Sequence, residues 1–335
     1  MTAAPLPVIL LALLVAAALT YGITWVIRPL LQRYALARPN ARSSHRIPTP
    51  QGGGIAVIAA TLAVSAACAA LLGFAIPPML FAATLFVALV GFVDDIKSIP
   101  VLPRLLLQGL AVGAVIFGAP EELRLVEAVP LVVERGLLLV AGLWFVNLVN
   151  FMDGLDLLTV SEAVPVTAAV VIAGWLGEVP LPATIVAAAL CGAMLGFAPL
   201  NRPVAKVFLG DVGSLPIGLL LGWCLLQLAF AHHLAAALLL PLYYLADATL
   251  TLVRRVARRE PFWAAHRTHF YQRATDNGYT VWGVVRAVFL LNVALAVLAM
   301  IAVVGGSMLL NVLLLVAGAA AVTVLLARFS RKPLR

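Results

Sequence analysis

Residues 77–95 read PPMLFAATLFVALVGFVDD: an apolar run with no charge from Pro77 to Val93, closed by two adjacent aspartates. At about 1.5 Å of rise per residue, a helix of this length spans most of a hydrocarbon core roughly 30 Å thick. The same reading extends in both directions. Spans are expected at 5–27, 54–73, 77–93, 101–118, 131–147, 159–176, 181–198, 214–230, 234–254, 281–303 and 306–327, about eleven transmembrane helices in all. Composition agrees, with 64% hydrophobic and 11% charged residues and a mean hydropathy of +1.10, more apolar surface than a soluble domain of 335 residues could hide. The fold class is therefore an all-α polytopic integral membrane protein. Strands of a barrel would alternate apolar and polar residues, and no such pattern occurs. The run 5–27 is too long for a signal-peptide core and has no basic stretch before it, so it is expected to stay as a helix. Cys68, Cys191 and Cys224 lie in apolar runs without paired spacing and read as packing residues. One transmembrane domain, 1–335, is expected, with polar loops 28–53, 94–104, 147–158, 199–213 and 254–280. No internal repeat marks the two halves of a transporter.

Charge sets the expected orientation. All but three of the 22 basic residues fall in loop 28–53, at Lys97, Arg104, Arg202 and Lys206, in segment 254–280, or in the tail from Arg328. Arg124 and Arg135 fall on the other side, among Glu121, Glu122, Glu127, Glu134 and Glu178. The positive-inside rule then puts the N-terminus outside and the C-terminus in the cytoplasm. A net charge of +8 distributed this way suits anionic membrane lipids and phosphorylated substrates, and no nucleic acid is expected.

Five polar clusters interrupt the hydrocarbon, and the span count puts all five on the cytoplasmic side: Arg42-Ser-Ser-His45-Arg46-Ile-Pro48, Asp94-Asp95-Ile-Lys97, Asn147-x-x-Asn150-x-x-Asp153-Gly154-x-Asp156, Gly210-Asp211-x-Gly213-Ser214 and His266-Arg267-Thr-His269. Asp94 and Asp95 sit where the helix dipole disfavours carboxylates, so they are either ordinary solvated acids or are compensated by Lys97, Mg²⁺ or a basic loop. The amides and acids from Asn147 to Asp156 offer hard oxygen donors suited to Mg²⁺; a small amide can equally glue two helices together. Around Asp211 the glycines let a backbone approach a ligand, with first-turn amides open to phosphate; the bland alternative is a helix cap. The histidines and guanidinium of 266–269 supply donors for phosphate oxygens, beyond what topology alone asks of basic residues. Gln51-Gly52-Gly53-Gly54 reads as a flexible hinge. Asp247, within the expected ninth span, is as well explained by pairing with a basic residue as by catalysis.

In this order the clusters resemble one superfamily, the polyprenyl-phosphate N-acetylhexosamine-1-phosphate transferases, which includes the phospho-N-acetylmuramoyl-pentapeptide transferases. The resemblance covers roughly residues 40–275. It implies transfer of an N-acetylhexosamine-1-phosphate, or its deoxy form, from a UDP-sugar to undecaprenyl phosphate, with release of UMP. It further implies Mg²⁺, replaceable by Mn²⁺, held by Asp211 and Asn150, with Asp94, Asp95 and Asp153 as the catalytic acids. Asp156 matches the nucleotide-sugar pocket, and Arg104, Lys97, His45, His266, Arg267 and His269 are the expected nucleotide-sugar or phosphate contacts. A homodimer in the inner (plasma) membrane, with its active site facing the cytoplasm, completes the expectation.

Two departures narrow the resemblance. The muramoyl-pentapeptide branch carries a three-histidine run where this chain has His266-Arg-Thr-His269, and Leu157 follows Asp156 where many relatives have glycine. His-Arg-Thr-His-Phe-Tyr-Gln is more similar to the branch that initiates O-antigen, and so lipopolysaccharide, synthesis. The expected mechanism is single displacement at the β-phosphorus, with a covalent aspartyl route as its rival. The rival class is a transporter of nucleotide sugars or lipid-linked sugars. It would place its polar groups near the midplane rather than at one end of the spans.

Overall fold

The computed structural model describes residues 5–37, 48–260 and 266–332. In chain order its elements are α1 (Leu6–Tyr34), β1 (Leu36–Ala37), β2 (Thr49–Pro50), α2 (Gly54–Leu72), α3 (Pro78–Ile96), α4 (Val101–Phe117), α5 (Leu131–Met152), α6 (Leu158–Trp175), α7 (Leu181–Asn201), α8 (Asp211–Phe230), α9 (Leu234–Leu239), α10 (Leu242–Ala257), α11 (Phe270–Asp276), α12 (Val281–Gly305) and α13 (Met308–Phe329). Among the described residues, nine helices are long and apolar enough to cross a membrane, and α4 is a shorter apolar helix. The chain is an all-helical, multi-pass membrane protein.

Proline punctuates the bundle. It is the N-cap residue of α1, α3, α4, α5, α7 and α10, a position whose N–H no helical bond uses. Inside the run 234–254 the same residue changes the expected count. Pro241 cannot donate to the preceding turn and clashes with it, so the expected ninth span divides into α9 and α10. The second piece is two-faced: Tyr243, Tyr244, Asp247, Ala248, Thr251 and Arg255 are buried, while Leu250, Val253 and Val256 are exposed.

Helices α7 and α8 form the buried centre. Around them pack α1, α2 and α6 on α7, and α3, α5 and α2 on α8. The three cysteines are free and buried. One expectation needs a small amendment, since β1 and β2 form an antiparallel pair matching Leu36 with Pro50 and Ala37 with Thr49. Two residues per strand are too few to leave an alternating signature. The chain beyond β2 is a pinned strap rather than a hinge: Gly52 and Gly53 donate their N–H groups to Phe208 O at 3.1 and 2.9 Å, and Gly54 donates to Leu209 O at 2.8 Å.

Candidate active site

The polar clusters belong to helix ends more than to loops. Asp94 and Asp95 form the last turn of α3, Asn150 the last turn of α5, and Asp211 the first residue of α8. Helices α3 and α8 can converge there because residue 91 is glycine; a Cβ at Gly91 would overlap the backbone carbonyl of Asp211. Asp95 then reaches across. Its Oδ1 accepts from the N–H of Asp211 at 2.9 Å, its Oδ2 from the N–H of Val212 at 3.0 Å, and the Gln51 side-chain amide also donates to it. A carboxylate from α3 thus caps α8, satisfying first-turn donors and favourably placed at the positive pole of that helix. The amides that glycine bracketing seemed to offer to phosphate are already taken.

Asp94 is held differently. Its Oδ1 accepts from the N–H of Ile99 at 2.5 Å, and its Oδ2 pairs with Arg104 Nη1 at 2.7 Å. The same guanidinium nitrogen lies 3.8 Å from Asp211 Oδ2. Arg104 is therefore the compensating cation, while Lys97, the C-cap residue of α3, is exposed. Asn150 Nδ2 donates to Asp211 Oδ1 at 2.8 Å and to Ser214 Oγ at 2.9 Å, which leaves its own Oδ1 as an oxygen donor. Asn147 does not join this group: its amide bonds the buried Gln108 of α4 at 2.7 Å and acts as helix glue.

Asp153, the C-cap residue of α5, accepts from Thr159 Oγ1 at 2.5 Å. Desolvation pushes its carboxyl up to about 7, the charges of Asp95 and Asp156 push the same way, and the Thr159 bond opposes them. Asp156 Oδ2 accepts from the N–H of Ala205 at 3.0 Å and steadies the loop before α8. Beside it Leu157 has φ of +62°, where a glycine would sit without strain, and its N–H is held by Asn201 Oδ1 at 2.7 Å.

The late basic motif docks through Asp247, which is fully buried. That carboxylate accepts from the N–H groups of Phe270 and Tyr271 at 3.0 and 3.1 Å and pairs with His269 Nδ1 at 3.2 Å. Tyr271 then donates its hydroxyl to Phe151 O at 3.0 Å, fastening α11 to the end of α5. Gly154 makes room for it, since a Cβ there would strike that hydroxyl. His266 stacks on His269 at 5.0 Å between ring centroids. Burial, with the charges of His269 and Arg255, lowers the His266 imidazole to about 4. Arg267 pairs with Asp276 at 3.0 Å, at the other end of α11. His45 lies outside the described residues.

Sequence reasoning thus named Asp94, Asp95, Arg104, Asn150, Asp153 and Asp211, which the fold gathers, but gave no supporting role to Gln51, Ser214, Thr159, Asn201 and Tyr271, which hold them. Asp94 and Asp211 have carboxyl groups within hydrogen-bonding reach of each other, with one guanidinium for the pair. Such a pair calls for a shared proton or a second cation. Among the described residues no three acidic, histidine or cysteine side chains form a ready ligand cage. An all-oxygen site with one or two carboxylates, completed by substrate phosphates and water, is what Mg²⁺ takes, so the residues present fit that ion.

The profile described as Glycosyl transferase family 4 matches residues 77–229, which contain this acidic group. The decaprenyl-phosphate N-acetylglucosaminephosphotransferase of Mycolicibacterium smegmatis is 30% identical over 316 residues, covering 82% of this chain and 77% of the relative. Its counterpart in Mycobacterium tuberculosis is 29% identical over 325 residues, 85% of this chain and 80% of the relative. A phospho-N-acetylmuramoyl-pentapeptide-transferase of Symbiobacterium thermophilum is 33% identical over 221 residues, 58% of this chain and 66% of that protein. Extended similarity to both branches assigns the chain to the polyprenyl-phosphate N-acetylhexosamine-1-phosphate transferase superfamily.

Proposed function

We propose that this protein transfers an N-acetylhexosamine-1-phosphate, or a deoxy-N-acetylhexosamine-1-phosphate, from a UDP-sugar to undecaprenyl phosphate, releasing UMP. The product would start a lipid-linked surface glycan such as O-antigen, made at the cytoplasmic face of the inner membrane. The observation that carries this reading is the convergence of Asp94, Asp95, Asn150, Asp153 and Asp211 at the ends of three spanning helices, with Arg104 on Asp94 and beside Asp211. A lipid phosphate anchored in the bilayer and a soluble nucleotide sugar can meet there. The relatives' names, which pair a decaprenyl phosphate with N-acetylglucosamine phosphate, support the substrate class.

In this mechanism a lipid phosphate oxygen attacks the β-phosphorus of the UDP-sugar, the bond to the bridging oxygen breaks, and UMP leaves with the electron pair. Mg²⁺, held by Asp211 and Asn150, would neutralise charge on the pyrophosphate. Arg104, oriented by Asp94, adds a fixed positive charge beside it. A phosphate monoester has a second pKa near about 6, so the nucleophile is mostly ionised at neutral pH. Asp153, near 7, is matched to take the residual proton. Both oxygens of Asp95 are occupied by donors, which disfavours it as a covalent nucleophile.

The test uses purified protein with undecaprenyl phosphate, Mg²⁺ and a panel of UDP-N-acetylhexosamines. Lipid-diphosphate-sugar with stoichiometric UMP is expected, lost on chelation and in Asp211→Asn. Retained turnover in Asp211→Asn overturns its metal role, and a trapped phospho-aspartyl species overturns single displacement. Uptake of a nucleotide sugar into sealed liposomes without product would favour the transporter instead.

A further inference from the structure

A line of buried polar groups leads from Asp153 into the bundle, away from any substrate. Thr159, in the first turn of α6, has its hydroxyl 2.5 Å from Asp153 Oδ1 and is nearly inaccessible. Tyr244 of α10 is fully buried beside Thr159, and its hydroxyl makes no hydrogen bond among the described residues. Both Asp153 and Glu162 lie within electrostatic range of that phenol. Glu162 follows Thr159 by three residues on α6, and its Oε2 accepts from Asn292 Nδ2 of α12 at 2.7 Å. Asn292 also donates to Ser161 O at 3.0 Å, so its amide is fixed against α6.

Helix glue would account for Glu162 and Asn292 alone. It leaves two observations unexplained. A hydroxyl bonded to a site carboxylate is backed by a second hydroxyl from another helix. In addition, Tyr244 Oη, Glu162 Oε1 and Asn292 Oδ1 lack hydrogen-bond partners among the described residues, which is a cost in an apolar interior. The direction of the line follows from counting protons. Thr159 has one hydroxyl hydrogen and gives it to Asp153, so of these two hydroxyls only the Tyr244 phenol is left to donate toward the other.

We propose that Thr159 and Tyr244 are positioning residues for the transfer reaction, with Glu162 and Asn292 as their support. Thr159 donates to Asp153 Oδ1, which fixes the carboxylate plane and turns Oδ2 toward the reacting phosphates, and the Tyr244 phenol backs the threonine from α10. This assignment rests on the function proposed above, because it gives Asp153 work to do.

Steady-state kinetics of single and double variants test it. Thr159→Val keeps the shape and removes the hydroxyl. Its kcat should fall about tenfold or more, with KM for both substrates within about twofold of wild type. Thr159→Ser should restore kcat. Tyr244→Phe should lose less, and the double variant Thr159→Val/Tyr244→Phe should be no worse than Thr159→Val alone, because the phenol acts only through the threonine. An unchanged kcat in Thr159→Val, a loss that serine does not rescue, or additive losses in the double variant overturn the proposal while leaving the transferase reading intact. Wild-type protein that turns over no donor overturns that reading, and this assignment with it.

Discussion

Asp95 and Asp247 perform the same local task in different company. Each is a carboxylate on one helix that accepts two consecutive backbone N–H groups from the first turn of another: Asp211 and Val212 on α8 for Asp95, Phe270 and Tyr271 on α11 for Asp247. Each also takes side-chain donors, Gln51 in the first case and the His269 ring with the Tyr243 and Thr251 hydroxyls in the second. Around Asp95 the charge is negative, with Asp94, Asp153 and Asp211 answered by Arg104. Around α11 it is positive: Arg254 and Arg273 sit over the Phe270 ring, at 4.5 and 5.8 Å from its centroid. One device therefore mounts two halves of opposite sign, an acidic half that the proposed function assigns to a metal and a basic half that it assigns to anionic oxygens. Capping in trans fixes each half to the scaffold without spending a local Ser or Asp at the cap position.

Removing each carboxylate should separate the halves. Asp95→Ala leaves three donors bare beneath Asp211, the proposed metal ligand, a change costing about 3–5 kcal/mol. It should lower kcat about 100-fold or more, since a ligand displaced by about 1 Å already costs that much. Asp247→Ala should act mainly on binding. Once α11 loosens, KM for the UDP-sugar should rise about tenfold, with a smaller fall in kcat. Kinetics of the two variants, normalised to folded protein, check both. Equal falls in kcat with unchanged KM would show that the halves do not divide the work.

The acidic half was largely legible in the sequence, the basic half less so. Long apolar runs gave the helices, and ten of the eleven expected spans are single helices; only 234–254, with Pro241 hidden in a high-hydropathy run, is broken. Asn147, Asn150 and Asp153 recur every three residues, and such steps drift by about 60° on a helix of 3.6 residues per turn. That drift turns Asn147 to Gln108 on α4 while Asn150 meets Asp211. Asp247 stayed ambiguous because its partners lie 22 to 24 residues on, across a loop. Long-range caps such as Asp95 to Asp211, 116 residues apart, carry no local pattern at all. The closeness of Gly91 to Asp211 and of Gly154 to Tyr271 is likewise a property of packing.

The basic half should also respond to pH, and more gently than to mutation. His266 is lowered to about 4 in the folded protein, against about 6.5 for a free histidine. The unfolded or undocked segment then binds the proton better. Docking stability is fully present above about pH 6.5 and declines as the pH falls toward 4. Tryptic cleavage after Arg267 and Arg273 should accelerate through that window, and His266→Gln should flatten the response. Cleavage rates independent of pH in the wild type would mean that His266 is not buried as a neutral ring. No matching acid-side effect is expected from the Asp95 cap, so the comparison sharpens if the remainder of the protein keeps its resistance.

The smallest effect expected is at Leu157, in the loop that joins Asp153 to α6. With φ of +62°, Leu157 occupies left-handed backbone that costs about 1–2 kcal/mol for a residue with a Cβ. Leu157→Gly would remove that strain. It would also remove a side chain packed against the core, and would free the unfolded chain by about 0.5–1 kcal/mol. These terms nearly cancel, so the melting temperature should move by no more than a few degrees, roughly 3 °C in either direction. Asn201→Ala should be worse than Leu157→Gly, because it strips the acceptor from the Leu157 N–H without relieving any strain. If Leu157→Gly instead melts far lower while Asn201→Ala is silent, side-chain packing holds this loop and the backbone clamp does not. The acidic half would then be fastened by its apolar neighbours, unlike α11, and the likeness between the two halves would end at their caps.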